Sequence, residues 1–243
     1  MLNLIGTTVL TAMIVVNLYA ASAMMPTSSV QKLTTVTIAG LWVGFAIALG
    51  GTGIYASTAT PTPVPLVGVM LVLPLVAIGG AALLSARVRE TLLALPLPLL
   101  LGLNALRILP GVFILLLASQ GKLSGPFPQS AGWGDIIVGV IAIPLILAVA
   151  RNFAGSRRAL LAWNVLGTLD LVEAAALGVL SAPGSPLQIF GGAVGSTAMG
   201  SLPWSNIPTL LVPFYFITHG IIFARLLQGE RRTEVFAASQ ARL

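Results

Sequence analysis

The chain of 243 residues contains no cysteine. That removes disulfides, thiolate nucleophiles, cysteine zinc sites and iron–sulfur clusters together, and leaves the redox compartment open. Charge is nearly as scarce. Asp, Glu, Lys and Arg make up 7% of the residues, where a soluble domain carries roughly 25%. So few charges cannot solvate the surface of a globule. One histidine cannot build a histidine metal cluster, and neither HExxH nor GxSxG occurs. No metal, cofactor or catalytic residue is expected, and an enzyme is not the expected class.

What fills the chain is apolar: 57% of residues are hydrophobic and the mean hydropathy is +1.01. The apolar runs are continuous and reach the roughly 20 residues that a spanning helix needs. A β-barrel would instead show short alternating segments. The runs are Leu4–Met24, Val36–Ala56, Leu66–Ala86, Leu97–Gln120, Trp133–Ala150, Leu160–Leu180 and Ile207–Leu227. They predict an all-α transmembrane bundle of seven helices in a single integral membrane domain, residues 1–243. Small residues "ASA" at Ala21–Ala23 have the form of a leader cleavage site, but no Lys or Arg precedes the first run. That run is therefore read as a retained helix.

The breaks are "PTSSVQK", "TATPTPVP", "RVRE", "GKLSGPFPQSAG", "RNFAGSRR" and a long Gly/Ser-rich connection, "SAPGSPLQIFGGAVGSTAMGSLPW". With the C-terminus in the cytoplasm, the inner loops and tail hold Lys32, Arg87, Arg89, Arg151, Arg157, Arg158, Arg225, Arg231, Arg232 and Arg242. The outer loops hold only Lys122. Ten basic residues against one is a strong positive-inside bias. It predicts an outer N-terminus and accounts for the net charge of +6 without nucleic acid. Trp133 and Trp204 are expected in the outer aromatic belt.

Lys32 is the only charged residue before Arg87. Residues 1–86 therefore read as apolar scaffold helices, 97–227 as the helices carrying a polar site, and 228–243 as a cytoplasmic tail. In the second group four ionisable residues lie well inside spans: Arg107, Asp170, Glu173 and His219. A charge at the bilayer centre costs ~2.5–3.5 kcal/mol or more unless it is paired or faces water. At ~1.5 Å per residue, Arg107 and Asp170 each lie ~15 Å, and His219 ~12 Å, from the cytoplasmic ends of their helices. Three helices thus bring ionisable groups to nearly one level. The expected site is a cluster of Arg107 paired with Asp170, Glu173 one turn along the same face, His219 within reach, and Asn104 one turn below Arg107. One guanidinium against two carboxylates leaves an acid in surplus, and Glu173 or His219 is the expected proton-exchanging group. The competing reading is a helix clip that only orders the bundle. Pro110, Pro144, Pro208 and Pro213 interrupt spans, as in membrane proteins that bind solutes at mid-depth.

"GWGD" at Gly132–Asp135 matches the GxGD pattern of intramembrane aspartyl proteases, which need two carboxylates sharing a proton. Asp170 would be the partner. With the fifth span starting at Trp133, Asp135 falls at the outer face, ~10 Å from the level of Asp170. The expectation is therefore a helix start, with Asp135 near the positive end of the dipole, and an intramembrane hydrolase is the lesser alternative. The last span has no lysine for a retinal Schiff base.

From about Pro98 to Leu227, the stretches "RILPGVFILLL", "GWGDIIVG", "WNVLGTLDL", "SAPG" and "IPTLLVPFYFITH" resemble a group of uncharacterised bacterial multi-pass membrane proteins. The resemblance implies a protein of the bacterial inner membrane and carries no activity. The function expected is a transporter or small-solute-binding protein. The alternative is a non-catalytic structural or partner-binding membrane protein. Its partners would be the lipid bilayer and a small solute or proton, and a homo-oligomer is compatible with the sequence.

Overall fold

A computed structural model describes residues 1–56, 66–190, 192 and 194–240, with side chains to 228. The described residues are mostly helical, with no strand among them. The turn "TATPTPVP" and the arginine side chains beyond residue 228 lie outside what is described. Among the described residues, seven helical stretches are long and apolar enough to cross a membrane, so the chain is a multi-pass membrane protein.

The elements are α1 (Leu2–Ala23), α2 (Ser29–Gly51), α3 (Leu66–Leu84), α4 (Ala86–Leu93), α5 (Leu97–Ala105), α6 (Ile108–Ser119), α7 (Phe127–Ala150), α8 (Ser156–Leu180) and α9 (Val212–Gln240), the last preceded by a π-helical turn, Ile207–Leu211. Two helices start well ahead of their apolar runs, by clearly more than a turn. In α2, Ser28 and Gln31 form a capping box, which draws Lys32 into the first turn. In α7, Pro126 and Pro128 flank the start. Proline suits a first turn, where its missing N–H is no loss.

"RVRE" was expected to be a loop but forms half of α4. Ser85 caps it through Val88 N at 3.4 Å. The tail likewise stays helical through Gln240. The fourth run is broken in the middle: Leu106 and Arg107 form a turn between α5 and α6. Pro110 supplies the cause, since its ring clashes with the carbonyl of Leu106 and it lacks an N–H.

α6, α7 and α8 pack side by side, and α9 closes the bundle against α5 and α8. Two apolar cores fill it. One, around Leu10, Phe113, Trp204 and Tyr215, lies toward the α7 N-terminus; the other, around Leu101, Ala142, Trp163 and Ile222, lies toward its C-terminus. The long connection after α8 folds back rather than hanging free. Ser196 N donates to Ser181 O at 3.1 Å, and Ser124 and Gly195 exchange two hydrogen bonds. Trp204 is buried against Phe113, ring centroids 5.4 Å apart, so it belongs to the core and not to an aromatic belt. Trp133 is exposed.

Candidate functional site

The helix break at Leu106–Arg107 points the Arg107 side chain into the bundle, where it is 0% exposed. Its Nε donates to Asp135 Oδ1 at 2.7 Å. Its Nη2 donates to Asp170 Oδ2. Its Nη1 donates to the carbonyl of Gly167 at 3.2 Å and faces His219 Nε2 at 3.3 Å. The guanidinium carbon lies 5.6 Å from the centre of the Tyr215 ring. One planar fork therefore ties α7, α8 and α9 to the α5–α6 break. Arg suits this task because its donors are fixed in one plane and it keeps its charge. Charge-assisted bonds of this kind are about twice as strong as neutral ones.

Glycine makes the approach possible. A Cβ on Gly134 would collide with the Asp170 carboxylate, and one on Gly167 would come within 2.5 Å of the His219 ring. Likewise, a Cβ on Gly111 would lie 2.6 Å from the carbonyl of Gly132. Small residues at facing positions are how membrane helices come close.

His219 is held by both ring nitrogens. Arginine can only donate, so Nε2 accepts from it and the ring hydrogen sits on Nδ1. That hydrogen points at Asn164 Oδ1, 2.7 Å away, while Asn164 Nδ2 donates to the His219 carbonyl at 3.1 Å. Both nitrogens are engaged, which suits an orienting acceptor better than a mobile proton carrier. Asn104 joins the site only at its edge: its Nδ2 donates to Leu100 O at 2.8 Å and to Thr218 Oγ1 at 2.9 Å, not to Arg107 or its acids.

Of the residues expected in the cluster, the structure brings together Arg107, Asp170 and His219. Glu173 is placed differently. Its side chain is exposed and accepts from Ser130 Oγ at 2.7 Å. It shares a side of α8 with Asp170, but the edge between buried and outward faces runs between them. Asp135 supplies the second acid instead. It is buried two turns inside α7, ~12 Å along the helix, and not at a helix start. The expected gap from Asp170 disappears because α7 begins at Phe127. Both acids meet one guanidinium, which distinguishes the site from a dyad free to share a proton over a water. Asn164, Gly167 and Asp170 form one stripe of α8 at helical spacing. That spacing was a usable signal for Asn164.

A cavity of about 880 Å³ opens beside the cluster. It lies at the end of the bundle where α2 stops, α3 and α7 begin and α8 ends. Its walls include Leu66 and Leu71 of α3, Ile114 of α6, and Leu171 and Ala174 of α8. Asp135 is the farthest point that it reaches along α7. α3 packs on the π-helical turn and α9 rather than on α8, which leaves this space between them. Toward the other end, Leu100, Leu101, Trp163 and Ile222 are packed and buried.

A family model described as a domain of unknown function, DUF8737, matches residues 64–227. The chain belongs to that family. No curated protein and no solved structure matches it. The DUF8737 match takes in Arg107, Asp135, Asp170, Glu173 and His219 together with α3 and α8, so the ion cluster and most of the cavity wall are part of the family's domain. α1 and α2 precede it. From α1, Asn17 is a buried neighbour of Tyr215.

Proposed function

We propose that the protein binds a small solute in the cavity above the Arg107 cluster, as the binding step of a transport cycle. The observation that carries this reading is the meeting of an apolar cavity of about 880 Å³ with Asp135, a carboxylate fixed by a buried guanidinium. Ligand sites are mostly apolar clefts of ~300–1,000 Å³ with a few convergent polar groups. A helix clip alone needs no such space. The reading is further supported by the two irregular helices that bound the site, the α5–α6 break and the π-helical turn before α9. Interrupted helices accompany solute sites at mid-depth, and π-turns cluster at functional sites.

In this reading the molecule sits in a bacterial inner membrane with the cavity on the outer side, following the distribution of its basic residues. The packed core around Leu101 and Ile222 is the closed side. Arg107 positions Asp135 and Asp170, and His219 with Asn164 fixes Arg107. Glu173 stands outside the binding step.

The test is thermal unfolding of the purified protein with a panel of chemically diverse small solutes, in wild type and in Ala174→Trp. The indole would project into the cavity from α8 and crowd it. A solute that raises the Tm of wild type and leaves the variant unmoved is expected. A panel without effect on either would reject the reading in favour of a purely structural clip.

A further inference from the structure

We infer that the occupant of the cavity is a hydrophobic monocation, an amine carried on an apolar body, with its ammonium against Asp135. This rests on the binding role proposed above and adds the chemical class. Three observations carry it. First, Asp135 is the only charged residue among the described residues that line the cavity; the remainder is overwhelmingly aliphatic, with Tyr55, Ser196 and Thr197 among its few polar groups. Second, acids outnumber bases at the cluster. Arg107 meets two carboxylates, Asp135 and Asp170, and the groups facing them from α9 are the ring of His219, whose two nitrogens are already engaged, and the phenol of Tyr215. Glu173 on α8 adds a further acid nearby. Among the described residues, no second basic group from a packed element offsets the surplus. Third, Asp135 keeps acceptor capacity. A carboxylate offers about four lone-pair sites, and Arg107 takes one oxygen of Asp135.

Competing ligands fit less well. A carboxylate or phosphate would be brought against an acid in a low-dielectric cleft that offers no cation of its own, and burying an unpaired charge is costly. A phospholipid with an ammonium head would bring its phosphate into the same apolar walls. A neutral alcohol could donate one hydrogen bond but would leave the surplus charge. An ammonium supplies both a donor and the missing charge, and charge-assisted bonds are the strong ones.

The experiment uses the full chain in phosphatidylcholine nanodiscs and three probes of one shape: adamantylamine, adamantanol and adamantane carboxylate. Binding is read by calorimetry in wild type, Asp135→Asn and Ala174→Trp. The amine is expected to bind about tenfold more tightly than the alcohol, the difference between a charge-assisted and a neutral hydrogen bond, with the carboxylate weakest. Asp135→Asn should bring amine and alcohol together, and Ala174→Trp should abolish both. If Asp135→Asn does not fold, the order of the probes in wild type and their loss in Ala174→Trp decide. Alcohol or carboxylate binding as well as the amine, with all lost in Ala174→Trp, overturns the monocation and leaves the cavity reading standing. Binding of no probe, or binding indifferent to Ala174→Trp, removes both. Loss of the amine response in discs containing phosphatidylethanolamine would assign the site to that lipid headgroup and overturn the free amine.

Discussion

α2 and α3 on one hand, and the α5–α6 pair and α9 on the other, occupy lipid in opposite ways. Across their most apolar windows, 11% of α2 and 6% of α3 is buried, against 50% in Leu97–Ser119 and in Ile207–Gln228. The first pair presents side chains almost all round to the acyl chains, and its apolar residues need no partner there. The second pair is wrapped by neighbours and holds the buried Arg107 and His219. The contrast teaches what lets a charge stay in a membrane. Apolar surroundings alone are not enough. The charge needs several helices close enough that every donor finds an acceptor, and close approach in turn needs glycine where the helices cross. The lightly packed α3 has a different use, as one wall of a space that the dense half cannot provide.

The most direct way to break this contrast is to remove the charge that organises the dense half. Arg107→Leu leaves Asp135 and Asp170 facing each other without a cation. Removing one partner of a buried ion pair costs about 3–5 kcal/mol, so a large loss of thermal stability and of monodisperse protein is expected. Arg107→Lys should rescue only part of it, because one ammonium cannot reproduce the three-way fork. Ile38→Ala, at an exposed position of α2, should stay within about 0.5 kcal/mol. Equal losses at the two positions would show that the dense half is not held by its ions.

Part of this arrangement was legible before any coordinates. Counting residues from the basic loops placed Arg107 and Asp170 at one depth, because the rise of a helix is constant and an unpaired charge in lipid is too costly to leave alone. The same counting failed for Asp135, since hydropathy dates a helix from its first apolar stretch and "FPQSAG" carries too little. The prolines around Phe127 were the better marker of the start. Glu173 failed for another reason. Residues three apart are neighbours on a helix, yet they differ by about 60° in direction, enough to put one carboxylate in the bundle and the other on its outer face. Trp204 was misplaced because composition made its segment look like a loop, while Phe113 and Gly6 give the indole a buried seat.

The comparison sharpens when one substitution is made in both halves. Gly134→Ala puts a methyl group where the Asp170 carboxylate lies. The carboxylate is held by Arg107 and has little room to yield, so overpacking should destabilise by about 1–3 kcal/mol. Gly79→Ala sits in α3, where nothing lies within 4 Å of the added Cβ. There the narrower unfolded ensemble should leave the protein more stable by about 0.4–1 kcal/mol. Opposite signs in the same unfolding assay are expected. A loss at Gly79 would reveal a close neighbour of α3 in the membrane, such as a second protein chain.

The smallest effect is expected at Glu173→Gln. The side chain is exposed, accepts from Ser130, and makes no contact with Arg107. The amide retains an oxygen for Ser130, so stability should change by no more than about 0.5 kcal/mol, and amine binding in the cavity should stay within about twofold. The variant separates two origins of the surplus charge. If the acid that matters is Asp135, Glu173→Gln is silent while Asp135→Asn is not. If Glu173→Gln instead weakens amine binding as much as Asp135→Asn does, then the carboxylate on the outer face of α8 is part of the binding step, and the line drawn through that helix between site and surface has to move by one turn.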